Sequence, residues 1–255
     1  MSSSSIPELI LYLEPTSGST LHTQTLAFFA ATSSTPFAGN EATRYPLHTT
    51  MVGFFNQPTP QTHSATTTTP AIVEFIDRWH NDAFLHSTTV ATTAMTTEDD
   101  EEQTGTGTQN QQHTQYVSKT VINECLRPKP TLLLIGITPS PYLEHLTQSL
   151  ATSFPDLGLR IKQINHLSLC YWDDPSDALL DPASLETRYQ HRVQWTNQAA
   201  DLAQSKIPMI DIPSGTTVEN ESWDVVLYSI QGRDKANGLP YPLQEIKRWT
   251  LSSFI

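Results

Sequence analysis

Two β-prone runs in separate halves of the chain carry the same alternation, and together they restrict what the chain can fold into. The first, Tyr45-Pro46-Leu47-His48-Thr49-Thr50-Met51-Val52-Gly53-Phe54-Phe55, sets an imidazole and a hydroxyl two residues apart. The second, Leu159 to Trp172, reads L-R-I-K-Q-I-N-H-L-S-L-C-Y-W, with His166 and Ser168 in the same relation. Successive side chains of a strand point to opposite faces, so residues i and i+2 share one. Each tetrad, His48-Thr49-Thr50-Met51 and His166-Leu167-Ser168-Leu169, therefore aims its imidazole and hydroxyl the same way. Side by side in one sheet region, the two strands would converge two imidazoles and two hydroxyls on a small volume, able to hold an anion and move protons around it. That is a phosphodiester site without a metal.

The surroundings of the tetrads repeat as well. Ile6 to Glu14 reads as a strand, Pro15 to Ser19 as punctuation. Thr20 to Thr32 places Leu21, Leu26, Phe28 and Phe29 as in an amphipathic helix opened by a serine or threonine cap. A polar turn from Ser33 to Ala42, with Pro36 and Gly39, leads into the first tetrad. In the second half, Thr131 to Thr138 (T-L-L-L-I-G-I-T) is a near-continuous apolar run that predicts a central strand. Pro139-Ser140-Pro141 then opens a helix to Ser153 with Leu143, Leu146 and Leu150 on one stripe, and Pro155 and Gly158 stop it before the second tetrad. An internal duplication is the economical explanation, and a pseudo-twofold axis would set the tetrads face to face.

Between the halves, Gln57-Pro58-Thr59-Pro60 and a threonine-rich linker lead to Pro70, and Ala71 to Phe84 has helical spacing. Residues 87–115 are threonine-dominated and hold the acidic run Glu98 to Glu102 and the Gly-Thr repeats. Such a composition cannot bury enough apolar surface to offset chain entropy, which predicts a disordered insertion. Tyr116 to Cys125 reads as a strand and Arg127-Pro128-Lys129-Pro130 as a turn. Later come a helix over Pro182 to Ala203, with Leu185, Tyr189, Val193 and Trp195 near one face, a strand over Trp223 to Ile230, and a short helix over Leu243 to Trp249.

The length of 255 residues suits one domain spanning 1–255, with the 87–115 insertion inside it. A net charge of −12, from 14 Lys and Arg against 26 Asp and Glu, opposes broad binding of long nucleic acids, which needs a basic surface. The start of the sequence lacks the basic residue and apolar run of a signal peptide, and nowhere do the ~18 consecutive apolar residues of a membrane span occur. A soluble protein of the cytoplasm, with the nucleus also admitted, is the expectation. Cys125 and Cys170 form no disulfide framework and no zinc spacing, and read as free thiols. The other histidines show no H-E-x-x-H spacing, Asp173-Asp174 reads as a turn, and no G-x-S-x-G or phosphate loop is present.

Paired His-x-Thr/Ser motifs at the ends of two related halves, each in a strand-helix-strand context, resemble the two-histidine (2H) phosphoesterase superfamily, most of all the cyclic nucleotide phosphodiesterases of fungi and plants. The resemblance covers the chain apart from the threonine-rich insertions, and the W-D-V-V-L-Y strand fits it. It implies an α+β fold that is bilobal and duplicated, with two antiparallel sheets flanking a central cleft and helices outside. It implies hydrolysis of 2′,3′-cyclic nucleotides, or of ADP-ribose 1″,2″-cyclic phosphate, by a monomer with no metal and no cofactor. His48 and His166 carry over as the catalytic acid/base pair, Thr50 and Ser168 as phosphate-binding hydroxyls. By resemblance His166 is the base toward water and His48 the acid, and the reverse assignment stays open. The long insertion departs from the family pattern and bears on the cleft rim and substrate size.

The chemistry suits these residues independently. A neutral imidazole with a pKa near 6.5 can take a proton from water while a protonated one donates to the leaving ribose oxygen. Arg44 and Lys162 each precede a tetrad histidine by four residues, and either add charge beside a phosphate or end a strand in solvent. Among the aromatic residues after the tetrads, Trp172 is the candidate for stacking on a base, a contact worth about 1–3 kcal/mol. Two other readings remain: RNA-end processing or 2′-5′ phosphodiester cleavage on the same scaffold, and a non-catalytic module binding nucleotides or a protein.

Overall fold

The computed structural model describes residues 8–33, 37, 39–56, 68–94, 120–172, 175–211, 222–230 and 242–251. Along the chain run β1 (Glu8–Pro15), α1 (Thr20–Thr32), β2 (Thr49–Asn56), α2 (Thr68–Ala94), β3 (Val121–Lys129), β4 (Leu132–Thr138), α3 (Pro141–Ser153), β5 (Arg160–Ile161), β6 (His166–Cys170), α4 (Pro182–Lys206), β7 (Trp223–Ile230) and β8 (Leu243–Leu251). The protein is a mixed α+β fold with, among the described residues, four α-helices and two antiparallel sheets. The larger sheet has the order β5-β2-β1-β7-β8 and the smaller β3-β4-β6. No helix among the described residues is long and apolar enough to cross a membrane.

Alternation along β1 organises the larger sheet. Leu9, Leu11 and Leu13 face the main core, while Ile10 and Tyr12 join Val226, Tyr228 and Ile230 in a small separate cluster on the other face. β4 is buried almost throughout, as its apolar run predicts, and is the middle strand of the smaller sheet. Its Leu133, Ile135 and Ile137 belong to the same core as the leucines of β1, so both sheets share one apolar interior.

The helices begin where their caps dictate. The Ser19 hydroxyl accepts from the His22 N–H at the start of α1, and Asp181 accepts from the N–H groups of Ala183 and Ser184 at the start of α4. Pro141 occupies the first turn of α3, whose buried stripe is Leu143, Leu146, Thr147 and Leu150. On α1 the buried stripe is Leu21, Thr25, Phe28 and Thr32, which leaves Leu26 about a third of a turn away and exposed, against expectation.

Several other expectations change. The run Leu159 to Trp172 is not one strand: β5 pairs with β2 in the larger sheet, and β6 pairs with β4 in the smaller. β3 runs through Pro128 instead of turning there. It is an edge strand, its register is irregular between Leu126 and Lys129, and a proline is tolerated in such a place because no ladder donor is needed. The face of α4 that is buried is Thr196, Ala199 and Ala203, nearer its end, while Leu185 and Tyr189 are exposed. α2 is longer than its helical spacing predicts and reaches Ala94, so the first residues of the expected disordered insertion are helical. Residues 95–115, the linker 57–67 and residues 116–119 lie outside the described residues.

The expected helix over 243–249 is the strand β8. Its register with β7 pairs Leu227 with Lys247 and Tyr228 with Glu245, passing over Ile246. One extra residue at a bulge converts a period of two into an apolar spacing of three, which imitates a helix in the sequence.

Candidate active site

The two tetrads sit in different sheets, and a buried asparagine holds them together. Asn40 donates from Nδ2 to the Leu169 carbonyl at 3.0 Å and accepts at Oδ1 from the N–H groups of Ala42 and Tyr171. The Glu41 N–H donates to the Tyr171 carbonyl at 2.9 Å. The segment entering β2 is thus fastened to the end of β6. Gly39 just before it has φ of +93°, a conformation open to glycine, and a Cβ added there would stand 3.7 Å from Trp172 Cδ1.

His48 is the residue before β2, not a member of it. Its Nδ1 lies 2.7 Å from the Pro46 carbonyl oxygen, which can only accept, so the neutral ring carries its proton on Nδ1. That leaves the Nε2 lone pair basic, with no hydrogen-bond partner among the described residues. The ring stacks on Tyr12 with centroids 3.7 Å apart and planes 18° off parallel, and Tyr45 meets it edge-on at 6.4 Å. Tyr12 is also the cross-strand partner of Thr50, so one phenol ring fixes the face shared by His48 and Thr50. Burial holds the Tyr12 phenol well above its ordinary pKa, with Tyr45, Tyr171 and Glu14 adding to the shift. All three therefore lie within electrostatic reach of that ring.

His166 begins β6. Its Nδ1 is 2.7 Å from Asn165 Oδ1, while Asn165 Nδ2 donates to Gln163 Oε1, an arrangement that again places the ring proton on Nδ1. Opposite it stands Gly136, where a Cβ would come within 3.1 Å of Leu126 Cδ1 and 3.2 Å of Asn123 Cβ, so a larger residue would make those neighbours give way by a few tenths of an ångström. Ser168 is two residues on, and both it and Thr50 are half-buried, their hydroxyls making no hydrogen bond among the described residues.

Both imidazoles are perturbed by their surroundings. Burial above all, with a smaller contribution from the charge of His166, lowers the His48 pKa to about 4 against the opposing pull of the Pro46 carbonyl. The His166 pKa is lowered too, by burial. Both rings therefore favour the neutral form at neutral pH, and protonating one discourages the other.

The remaining sequence candidates have other contacts. Arg44 lies on the 3-10 turn Glu41–Arg44, bound to Glu41 at 2.9 Å, and Lys162 is exposed with its stem lying across Gly53. The Trp172 ring is half-buried, tilted against Trp195 with centroids 6.3 Å apart, and its Nε1 is buried without a partner among the described residues. Among the described residues no group of three or more His, Cys, Asp or Glu side chains could hold a metal ion. Cys125 and Cys170 are free, and burial pushes the Cys170 thiol up to about 12, which keeps it inert.

Tyr12 and Asn40 were not among the sequence candidates. Tyr12 lies in an ordinary alternating strand, and its role depends on register. Asn40 before Glu41 is readable as a cap for the 3-10 turn Glu41–Arg44, but its bond across to β6 leaves no local signal. Compared with models of known families, with curated proteins and with solved structures, the chain finds no match in any of the three.

Proposed function

We propose that the chain is a 2H phosphoesterase, hydrolysing 2′,3′-cyclic nucleotides or ADP-ribose 1″,2″-cyclic phosphate to monophosphates by two-histidine acid/base catalysis that needs no metal. In this reading the fold is bilobal and duplicated, its sheets flanking a cleft with helices outside. β1-α1-β2 and β4-α3-β6 follow one plan, a strand, a helix of 13 residues and an antiparallel return carrying or following a histidine. Two imidazoles delivered by different sheets, each with Nδ1 engaged and close enough for the charge of one to depress the other, support the reading above all.

The reaction asks for one neutral and one protonated ring. Water attacks phosphorus and gives its proton to the base, the bond from phosphorus to the 2′- or 3′-oxygen breaks, and the acid protonates that oxygen. The lower pKa of His48 favours it as the base and leaves His166 as the acid, the reverse of the assignment that resemblance suggests. Thr50 and Ser168 donate to the non-bridging oxygens as charge builds at phosphorus.

The test is incubation of the purified protein in excess EDTA with 2′,3′-cyclic AMP, ADP-ribose 1″,2″-cyclic phosphate and 2′-5′-linked diadenylate, with products separated by chromatography. Monophosphate release from a cyclic substrate supports the assignment, release from the diadenylate alone moves it to 2′-5′ cleavage, and no turnover of any substrate overturns it.

The pKa shifts set the pH profile. A base is active when deprotonated, so kcat/KM rises as pH climbs through about 4. An acid is active when protonated, so kcat/KM falls as pH climbs through the His166 pKa, below the ordinary value of about 6.5. The expected profile of kcat/KM is a bell with its maximum on the acidic side of about pH 6.5, and a maximum above neutrality contradicts these shifts.

A further inference from the structure

A buried polar assembly lies outside the histidine pair. On the face of the larger sheet that carries Tyr12, Arg248 of β8 binds Glu14 at 3.0 Å, Asp224 at 2.8 Å and Glu245 at 2.7 Å. The Tyr228 hydroxyl donates to Glu14 Oε1 at 2.8 Å, and Thr16 donates to Asp224 at 2.7 Å. Glu14 and Asp224 are 4% and 1% exposed, so two carboxylates have been taken out of water for one guanidinium. Burial raises the Glu14 pKa, with Tyr228 and Arg248 pulling it back. Buried ion clusters are seldom more stabilising than apolar side chains of equal volume, so stability alone does not account for this one.

Register gives it a purpose. Arg248 pairs with Val226, Val226 with Tyr12, and Tyr12 with Thr50, a straight row across four strands. Strands lie about 4.8 Å apart, so the long Arg248 side chain passes over Val226 to reach the neighbourhood of Tyr12. There it clamps Glu14, Glu14 clamps the Tyr228 hydroxyl, and the Tyr228 ring tilts against Tyr12 with centroids 5.6 Å apart. Tyr12 in turn stacks on His48. Among the described residues the apolar cluster on this face has five buried members, with Phe54 and Leu243 packed against them, a small hold on a ring that must stay put.

We propose that Arg248 is a positioning residue for His48, acting through Glu14, Tyr228 and Tyr12. The inference rests on the reading of His48 as a proton carrier, but the placement of its ring is measurable without substrate. Two conservative variants isolate the relay: Tyr228→Phe removes one hydroxyl and keeps the ring, and Arg248→Lys keeps the charge and loses the fork that spans three carboxylates. Lys247→Met is the control, since Lys247 pairs with Asp77 of α2 instead.

The primary readout is the His48 ring proton resonance by NMR in the full chain, assigned by its loss in His48→Gln and sensitive to the stacked Tyr12 ring. Both relay variants are expected to move it, and to lower kcat about tenfold with KM within about twofold, as a displaced catalytic group does. The control is expected to move neither. A His48 resonance unmoved in Arg248→Lys overturns the proposal, as does an equal shift in Lys247→Met, which would mark general loosening of β8. Absence of turnover in the parent protein bears on the proposed function alone, because the resonance is read without substrate.

Discussion

Alanine at His48 or at His166 is expected to lower turnover of 2′,3′-cyclic AMP by about 10²–10⁴, since each removes one proton transfer from the transition state. The double variant should fall little below the worse single one, because acid and base act as a unit. Far-ultraviolet circular dichroism and the urea midpoint establish that the variants fold; both side chains are half-buried and neither is part of the main core. The two losses should differ in their pH dependence. With His48 gone, the rise of kcat/KM through about pH 4 disappears. With His166 gone, the fall on the alkaline side disappears. Turnover within about threefold of the parent in both variants contradicts the assignment outright, since a proton transfer typically contributes about 10²–10⁴.

The largest stability effect is expected at Arg248. Replacement by methionine keeps much of the stem and removes the charge, leaving Glu14 and Asp224 buried without their cation. Losing one member of a buried ion pair costs about 3–5 kcal/mol, and because about a third of the Arg248 side chain is exposed, the lower end, about 3 kcal/mol, applies here. The loss depends on pH in a fixed direction. Burial already raises the Glu14 pKa and the guanidinium opposes that rise, so without Arg248 the folded-state pKa of Glu14 moves further above its unfolded value, the folded state binds more protons and stability falls as pH rises. The gap between parent and variant in urea midpoint should therefore be widest near neutrality and narrow as pH drops through the carboxylate range. A midpoint that does not change at neutral pH would mean that the cluster holds nothing together.

The parts of the fold legible in the sequence are those whose signal is local. The serine cap before Thr20, the apolar run from Leu132 to Thr138 and the stripe Leu143, Leu146 and Leu150 each depend on neighbours within a turn or a strand, and the structure follows them. The same holds for the tetrads, where an i, i+2 alternation survives even though His48 stands just outside β2. What failed depended on register. Leu159 to Trp172 reads as one extended run, yet Lys162 N–H binds the Met51 carbonyl of one sheet while the Asn165 carbonyl accepts from Ile137 of the other. Nothing local divides them. Tyr12 is placed against His48 by a pairing of β1 and β2 that slips at two irregular points, and Arg248 was hidden in a stretch whose bulge at Ile246 mimics helical spacing.

The order of strands in the larger sheet also governs how the molecule can assemble. Its central strand β1 needs β7 along one whole edge, and the bond from Thr16 to Asp224 closes a separation of 208 residues. The smaller sheet lies entirely between them in sequence, within residues 121–170. During synthesis it can pair as soon as it emerges, whereas β1 must wait with one backbone edge unpaired until residues 223–230 follow. Such long-range closure is slow and leaves an open strand edge exposed to other chains. Because the face that holds His48 is completed by β7 and β8, the ring beneath His48 is backed by strands more than 170 residues away in the chain.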